Sequence, residues 1–143
     1  MGMADRAPME YERKSVMESI NWKVRKQLPV IRQTESAECG LACLAMIACW
    51  HGLKTDLSTL RERFNIGIQG MTLQRLIECA ASIHLSSRAV RLEPEDLRCL
   101  NLPSILHWDM NHFVVLHKVR GNRLYIHDPD RGKITISLLD AGK

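Results

Sequence analysis

Aromatic side chains are scarce in this chain: three Trp, two Tyr and two Phe among 143 residues. A surface that stacks nucleic-acid bases needs aromatics interleaved with a Lys/Arg stripe, so no nucleic-acid partner is expected. The charge agrees. Residues 1–32 carry seven Lys or Arg against four Asp or Glu, whereas residues 33–143 carry thirteen against twelve, which leaves the larger part almost neutral. Long apolar runs are missing too. The longest, Leu41 to Trp50, is half of the roughly 20 residues that a bilayer-spanning helix needs. Cysteine is present but not in frameworks: Cys39, Cys43, Cys49, Cys79 and Cys99 are odd in number and contain no Cys-x-x-Cys pair. That excludes a disulfide scaffold and a zinc knuckle, and suits a reducing cytosolic setting. Met1–Ser19 has no apolar centre, so no secretory signal is read there. No Gly-x-x-x-x-Gly-Lys-Ser/Thr loop occurs, which removes ATP binding by that device. No group with metal-ligand spacing is found, and no cofactor is expected.

What remains is a soluble-type composition, 45% apolar and 25% charged, of a size for one core. Residues 1–27 lack apolar periodicity and read as a lead-in or extension; residues 28–143 read as the domain. After Pro29 an extended stretch leads to polar turn residues that can cap a helix beginning close to Cys39. From Gly40 to His51 that helix is apolar all round, hence buried, and Gly52 stops it. Asp56 can cap a second helix through Leu57, Leu60 and Phe64, and Thr72 a third through Leu73, Leu76, Ile77 and Ala80. Pro94 followed by two acids predicts a short further helix to about Leu100. The period then shortens, with strands expected at Arg88–Leu92, Ser104–Trp108, His112–Val119, Arg123–His127 and Lys133–Ser137. Turns at Asp109–Asn111, Gly121-Asn122 and Asp128–Gly132 separate the later ones. Helices first and an antiparallel sheet afterwards predict an α+β domain.

Cys39 stands where a buried helix starts. Unpaired backbone N–H groups and the positive end of the helix dipole favour a thiolate there, although the commoner fate of a free Cys is to act as a small buried hydrophobe. Cys43, Cys49 and Cys79 fall on apolar helical faces and Cys99 at a helix end. A cysteine nucleophile needs a base, and His112 opens the most apolar strand of the chain, at a rim where an imidazole can face a cleft. Asp128 closes the following strand at the same end of the hairpin. It can orient an imidazole, or simply start an Asp-Pro turn. With Gly121-Asn122 as a two-residue loop, Asp128 opposes Val115, ~10 Å along the strand from His112. Contact therefore requires a bulge or strong twist. Gln33, six residues before Cys39, can offer its amide to an oxyanion beside the sulfur, together with the Cys39 N–H.

Three strings occur in order: Gln33-Thr34-Glu35-Ser36-Ala37-Glu38-Cys39-Gly40-Leu41-Ala42-Cys43-Leu44-Ala45-Met46, His112-Phe113-Val114-Val115-Leu116 and His127-Asp128-Pro129. Together they resemble the bacteriocin-processing peptidase domain at the N-terminus of peptidase-containing ABC transporters, most of all the colicin V export type, over roughly Leu28 to Ser137. The resemblance implies a papain-like cysteine peptidase with Cys39 as nucleophile, His112 as general base and acid, Asp128 as orienting acid and Gln33 as oxyanion donor. It further implies cleavage after the double-glycine leader of a bacteriocin or microcin precursor on the cytoplasmic side of the bacterial inner membrane. The implied partners are that precursor and the transmembrane and nucleotide-binding domains of the same transporter, where ATP would bind. A membrane-fusion adaptor and an outer-membrane channel would join through the full transporter. A helical leader calls for an apolar groove, for which Leu57, Leu60, Phe64, Met71, Leu73 and Leu76 are the candidates, with core packing as the plainer role. The family usually continues beyond this length, so a domain cut short at its C-terminus is expected. The competing reading is a domain that docks the leader without cutting it. A redox or metal role for Cys39 and Cys43 is poorly served by two thiols one helical turn apart.

Overall fold

The computed structural model describes residues 27–108 and 112–141, together with the backbone of residues 2–6. A 3₁₀ turn at Ser36–Glu38 runs directly into helix α1 (Cys39–Trp50), whose residues Leu41 to Ala48 are wholly buried. An all-apolar helix has no solvent face to prefer, so it goes to the middle of the domain and is covered on every side. Helix α2 (Leu57–Arg63) starts at Asp56, whose carboxylate accepts from the Thr59 N–H at 2.8 Å. Helix α3 (Leu73–Ser82) starts at Thr72, whose hydroxyl accepts from the Arg75 N–H at 3.1 Å. Both caps satisfy N–H groups that a helix start leaves unpaired. His84 ends α3 in the left-handed region (φ 66°), and the Leu85 N–H returns to the Ala80 carbonyl. That is a structural role for a histidine. The expected segment after Pro94 is a 3₁₀ turn, Pro94–Cys99.

The sheet contains β1 (Gly2–Arg6), β2 (Ser86–Val90), β3 (Ser104–Trp108), β4 (His112–Arg120), β5 (Arg123–Asp128) and β6 (Gly132–Ser137). Their order is β2-β1-β3-β4-β5-β6, with every neighbouring pair antiparallel. Strand β1 departs from the reading of residues 1–27 as a lead-in, because Gly2–Arg6 pairs with β2 on one side and β3 on the other. Five residues of mixed polarity carry no period-2 signal; backbone pairing holds them in place. The rest of that stretch, residues 7–26, and the Asp109–Asn111 turn lie outside the described residues. Strand β2 begins two residues earlier than expected, and a short helix α4 (Leu138–Ala141) follows β6.

Side chains alternate along β4 and divide the apolar interior into two. Phe113 and Val115 join α1, Leu57, Leu60, Phe64 and Leu76 in the helical-side core, while Val114 and Leu116 join Leu106, Leu124, Ile126 and Leu97 on the other face. This corrects the expected leader groove: Leu57, Leu60, Phe64 and Leu76 are core residues, buried because their helix faces turn toward α1. Met71 and Leu73 are half-buried at the edge of that core. No helix among the described residues is long and apolar enough to cross a membrane.

Candidate active site

Cys39 is the first residue of α1 and is 5% exposed. Gly40 lets this helix start approach the sheet. A Cβ there would lie 3.4 Å from the Phe113 ring and 3.2 Å from the Met71 sulfur, so a larger residue would require those side chains to give by a few tenths of an ångström. The Cys39 side chain is hydrogen-bonded to the His112 side chain and to the backbone of Phe113 and of Gly40.

The hairpin solves the register problem that the sequence posed. From the Gly121-Asn122 loop the pairing runs Arg120↔Arg123, Val119↔Leu124 and Lys118↔Tyr125, then slips by one at His117 to give Leu116↔Ile126 and Val115↔His127. Asp128 therefore comes level with Val114 instead of Val115. Because side chains change face at every residue, that single extra residue also moves Asp128 onto the face that carries His112. His112 Nε2 and Asp128 Oδ1 meet at 2.7 Å. The other ring nitrogen of His112, Nδ1, is left for Cys39. Asp128 Oδ1 also accepts from the Asp130 N–H at 2.8 Å, and Oδ2 accepts from Arg131 Nε at 3.3 Å.

The bulge residue His117 packs against His127 with the rings tilted, their centroids 5.1 Å apart. His127 Nδ1 is 3.0 Å from the Pro29 carbonyl oxygen, tying this part of the hairpin to the extended stretch before Gln33. Next along that stretch, Gln33 donates its N–H to the Pro129 carbonyl at 2.9 Å, and Arg32 donates to the carbonyls of Pro129 and Asp130. The Gln33 arm and the Asp128 turn are thus laced together. Gln33, Ser36, Trp108, His112, Asp128 and Arg131 line a cleft of about 370 Å³, and the buried Gln33 Oε1 takes no hydrogen bond among the described residues.

Charge follows from this geometry. Burial pushes the Cys39 thiol up, but the hydrogen bond from His112, the Phe113 backbone and the charge of the imidazolium outweigh it and bring the thiol below its ordinary value. The hydrogen bond to Cys39, opposed by burial and reinforced by Asp128, lifts His112 to about 9. Burial opposes ionisation of Asp128, yet the His112 and Asp130 hydrogen bonds keep it below the usual carboxylate range. These shifts all favour a thiolate, an imidazolium and a carboxylate in a row. Cys43, one turn along α1, is driven well up by complete burial and stays a thiol.

A pH dependence follows. A raised histidine is charged at any pH below its ordinary value of 6.5 and loses its proton as pH rises through about 9, so the pair's contribution to folding is lost on that side. On the acid side the thiolate is lost as pH falls through the lowered value of Cys39. Alkylation by iodoacetamide, followed by mass spectrometry, should therefore modify Cys39 below the pH at which an ordinary thiol reacts, with N-acetylcysteine in the same reaction as comparison. Equal pH midpoints for the two would contradict the ion pair.

Of the sequence candidates the structure assembles Cys39, His112, Asp128 and Gln33 at one sheet end. Two other histidines have structural places: His51 is buried at the end of α1 and His84 caps α3. Sequence reasoning missed Arg131 and the Asp130 N–H as partners of Asp128. The signal was present in Asp128-Pro129-Asp130-Arg131-Gly132, since an Asp that starts a turn accepts from the backbone two residues on. Among the described residues no group of three or more His, Cys, Asp or Glu is placed to hold a metal ion.

A helix-borne thiol facing an imidazole on a sheet rim, with a carboxylate behind it, is the arrangement of papain-like cysteine peptidases. The sequence profile of the Peptidase C39 family matches residues 27–141, and the chain belongs to that family, with the α+β papain-like fold. It is 45% identical over 119 residues to the colicin V secretion/processing ATP-binding protein of Escherichia coli, covering 83% of this chain and 17% of that protein. The chain thus spans about a sixth of the length of that protein. A double-glycine-motif protease from an AMS/PCAT transporter, solved in complex with the leader peptide, superposes with a TM-score of 0.74 at 34% identity, covering 82% of this chain and 85% of that one. The peptidase domain of Streptococcus ComA, a bifunctional ABC transporter of a quorum-sensing pathway, gives 0.73 at 25% identity, covering 81% and 90%.

Proposed function

We propose that this domain is a cysteine endopeptidase that cuts a bacteriocin or microcin precursor directly after its double-glycine leader, with Cys39, His112 and Asp128 as catalytic triad and Gln33 as oxyanion donor. The observation that carries the reading is the hydrogen-bonded row from Cys39 through His112 to Asp128, of which His112 and Asp128 line a cleft together with Gln33. The Cys39 thiolate attacks the carbonyl carbon of the second glycine. Negative charge moves to the carbonyl oxygen, which the Cys39 N–H and the Gln33 amide can meet; an amide whose oxygen is unengaged turns to present its N–H₂ at little cost. The His112 imidazolium gives its proton to the departing amine, leaving the leader as a thioester on Cys39. Neutral His112 then takes a proton from water, whose oxygen attacks the thioester and frees the leader carboxylate. Every proton and electron pair comes from Cys39, His112, the peptide and water, so the reaction calls for no cofactor in this domain.

The leader itself supplies recognition. An amphipathic helix ending in an extended Gly-Gly stretch would lay its apolar face on what remains exposed of the expected groove, Met71 and Leu73, joined by Ile68, which is 97% exposed. In the cell the domain would work at the cytoplasmic face of the inner membrane, joined to the transmembrane and nucleotide-binding domains of one transporter, with an adaptor and an outer-membrane channel beyond. The test is incubation under reducing conditions with a synthetic precursor and with its Gly-Gly→Ala-Ala form, locating the cut by mass spectrometry. A cut after Gly-Gly only is expected. Leader binding without any cut would favour a docking domain instead.

Gln33→Ala is expected to lower kcat by about a hundredfold with KM within about twofold, since an oxyanion donor acts only in the transition state. A rise in KM alone would refute that role.

A further inference from the structure

We propose that Glu38 and Arg61 form a positioning pair that fixes the nucleophile and the oxyanion arm relative to each other and neutralises the carboxylate that adjoins Cys39. The proposal rests on the reading of Cys39 as nucleophile. Glu38 immediately precedes Cys39 and is 6% exposed. Its Oε1 accepts from the Glu35 N–H at 3.0 Å and from Arg61 Nη2 at 3.0 Å, and its Oε2 accepts from Arg61 Nε. The backbone of Thr34 also donates to this carboxylate. The Glu38 N–H in turn reaches the Glu35 carbonyl at 3.0 Å. One carboxylate therefore closes the whole five-residue link, Thr34 to Glu38, that joins Gln33 to Cys39.

The anchor comes from elsewhere in the fold. Arg61 belongs to α2, whose Leu57 and Leu60 are embedded in the helical-side core. A planar guanidinium holding both oxygens of one carboxylate sets direction as well as distance, which an ammonium cannot do. The active-site turn is thus fastened to a rigid helix 23 residues away in sequence.

Charge gives the pair its second task. The Arg61 hydrogen bond, opposed by burial, holds the Glu38 carboxyl below the usual range, so it stays ionised beside Cys39. An unpaired buried carboxylate next to the nucleophile would repel the thiolate and undo part of what His112 achieves. The guanidinium cancels that field.

The test compares native protein with Arg61→Met, Arg61→Lys and Glu38→Gln by three readouts: the pH midpoint of Cys39 alkylation, kcat and KM on a synthetic leader-Gly-Gly precursor, and thermal unfolding. Arg61→Met should raise the alkylation midpoint by about one pH unit and lower kcat by roughly tenfold to a hundredfold, with KM within about twofold. Arg61→Lys should restore the midpoint but only part of kcat, because the charge returns without the fork. Glu38→Gln should leave the midpoint at or below the native one while kcat falls. A loss of thermal stability with native midpoint and native kcat in Arg61→Met would make the pair merely structural and overturn the proposal. If Arg61→Met does not fold, native kcat in both other variants overturns it equally. Should native protein fail to cut the precursor while the Arg61→Met midpoint moves as stated, the leader-peptidase reading fails and the electrostatic role stands, since alkylation needs no substrate.

Discussion

Cys39→Ala is expected to bind a leader peptide within about twofold of the native protein and to cut none of it. The sulfur makes and breaks the bond to the scissile carbonyl, and nothing else in the cleft can take its place, because Cys43 is completely buried and kept as a thiol. Loss of a nucleophile that acts in concert with its base removes roughly 10⁴-fold or more of kcat. Recognition rests on the leader helix, away from the sulfur, and calorimetry with an uncleavable leader should show it unchanged. The variant carries a second signature. The hydrogen bond to Cys39 is the largest influence raising His112 to about 9, so removing the thiol should drop the His112 titration, followed by NMR of the ring protons, toward its ordinary range. A Cys39→Ala protein that still cuts after Gly-Gly would end the nucleophile assignment. One in which His112 keeps its titration near 9 would end the account of the ion pair.

Asp128→Asn is expected to cost kcat between about a hundredfold and about ten-thousandfold, with little change in KM. Asp128 Oδ1 accepts from His112 Nε2 and from the Asp130 N–H at once. An asparagine amide has one acceptor oxygen and one donor nitrogen, so it cannot serve the imidazole, the Asp130 N–H and Arg131 together. The imidazolium then loses its counter-charge. Since a raised histidine is protonated only below its folded pKa, the alkaline limb of the kcat profile, near 9 in the native protein, should move to lower pH. An alkaline limb that stays in place with kcat within about threefold would show that the 2.7 Å contact is structural only.

Much of this was legible in the sequence, for physical reasons that differ by element. Helix α1 announces itself because ten consecutive apolar residues between a polar turn and Gly52 can only be a buried helix. Asp56 and Thr72 mark the next two starts because their side chains accept from N–H groups three residues on. The position of Cys39 at a helix start was readable for the same reason. The contact of Asp128 with His112 was not, since strand spacing sets them about 10 Å apart until a bulge at His117 changes both register and face, and nothing local in Leu116-His117-Lys118 marks a bulge. Strand β1 was invisible because its place depends on partners some 80 to 100 residues away. Leu57, Leu60, Phe64 and Leu76 failed as groove residues through a general ambiguity: an apolar helical stripe reads alike whether it faces a ligand or the core, and these four turn to the core around α1.

The central claim, that Cys39 is activated by His112 and Asp128 to act on peptides ending in Gly-Gly, is tested most directly by an affinity label. A leader peptide whose C-terminal Gly-Gly carries a chloromethyl ketone loses chloride when the active-site thiolate attacks it, leaving a stable thioether that digestion and mass spectrometry can place. The account predicts one equivalent of label on Cys39 near neutral pH, slowed by free leader, absent with the Ala-Ala label, and at least tenfold slower in Asp128→Asn. Label spread over Cys99 and other thiols at similar rates, or equal labelling by the Gly-Gly and Ala-Ala peptides, would contradict it.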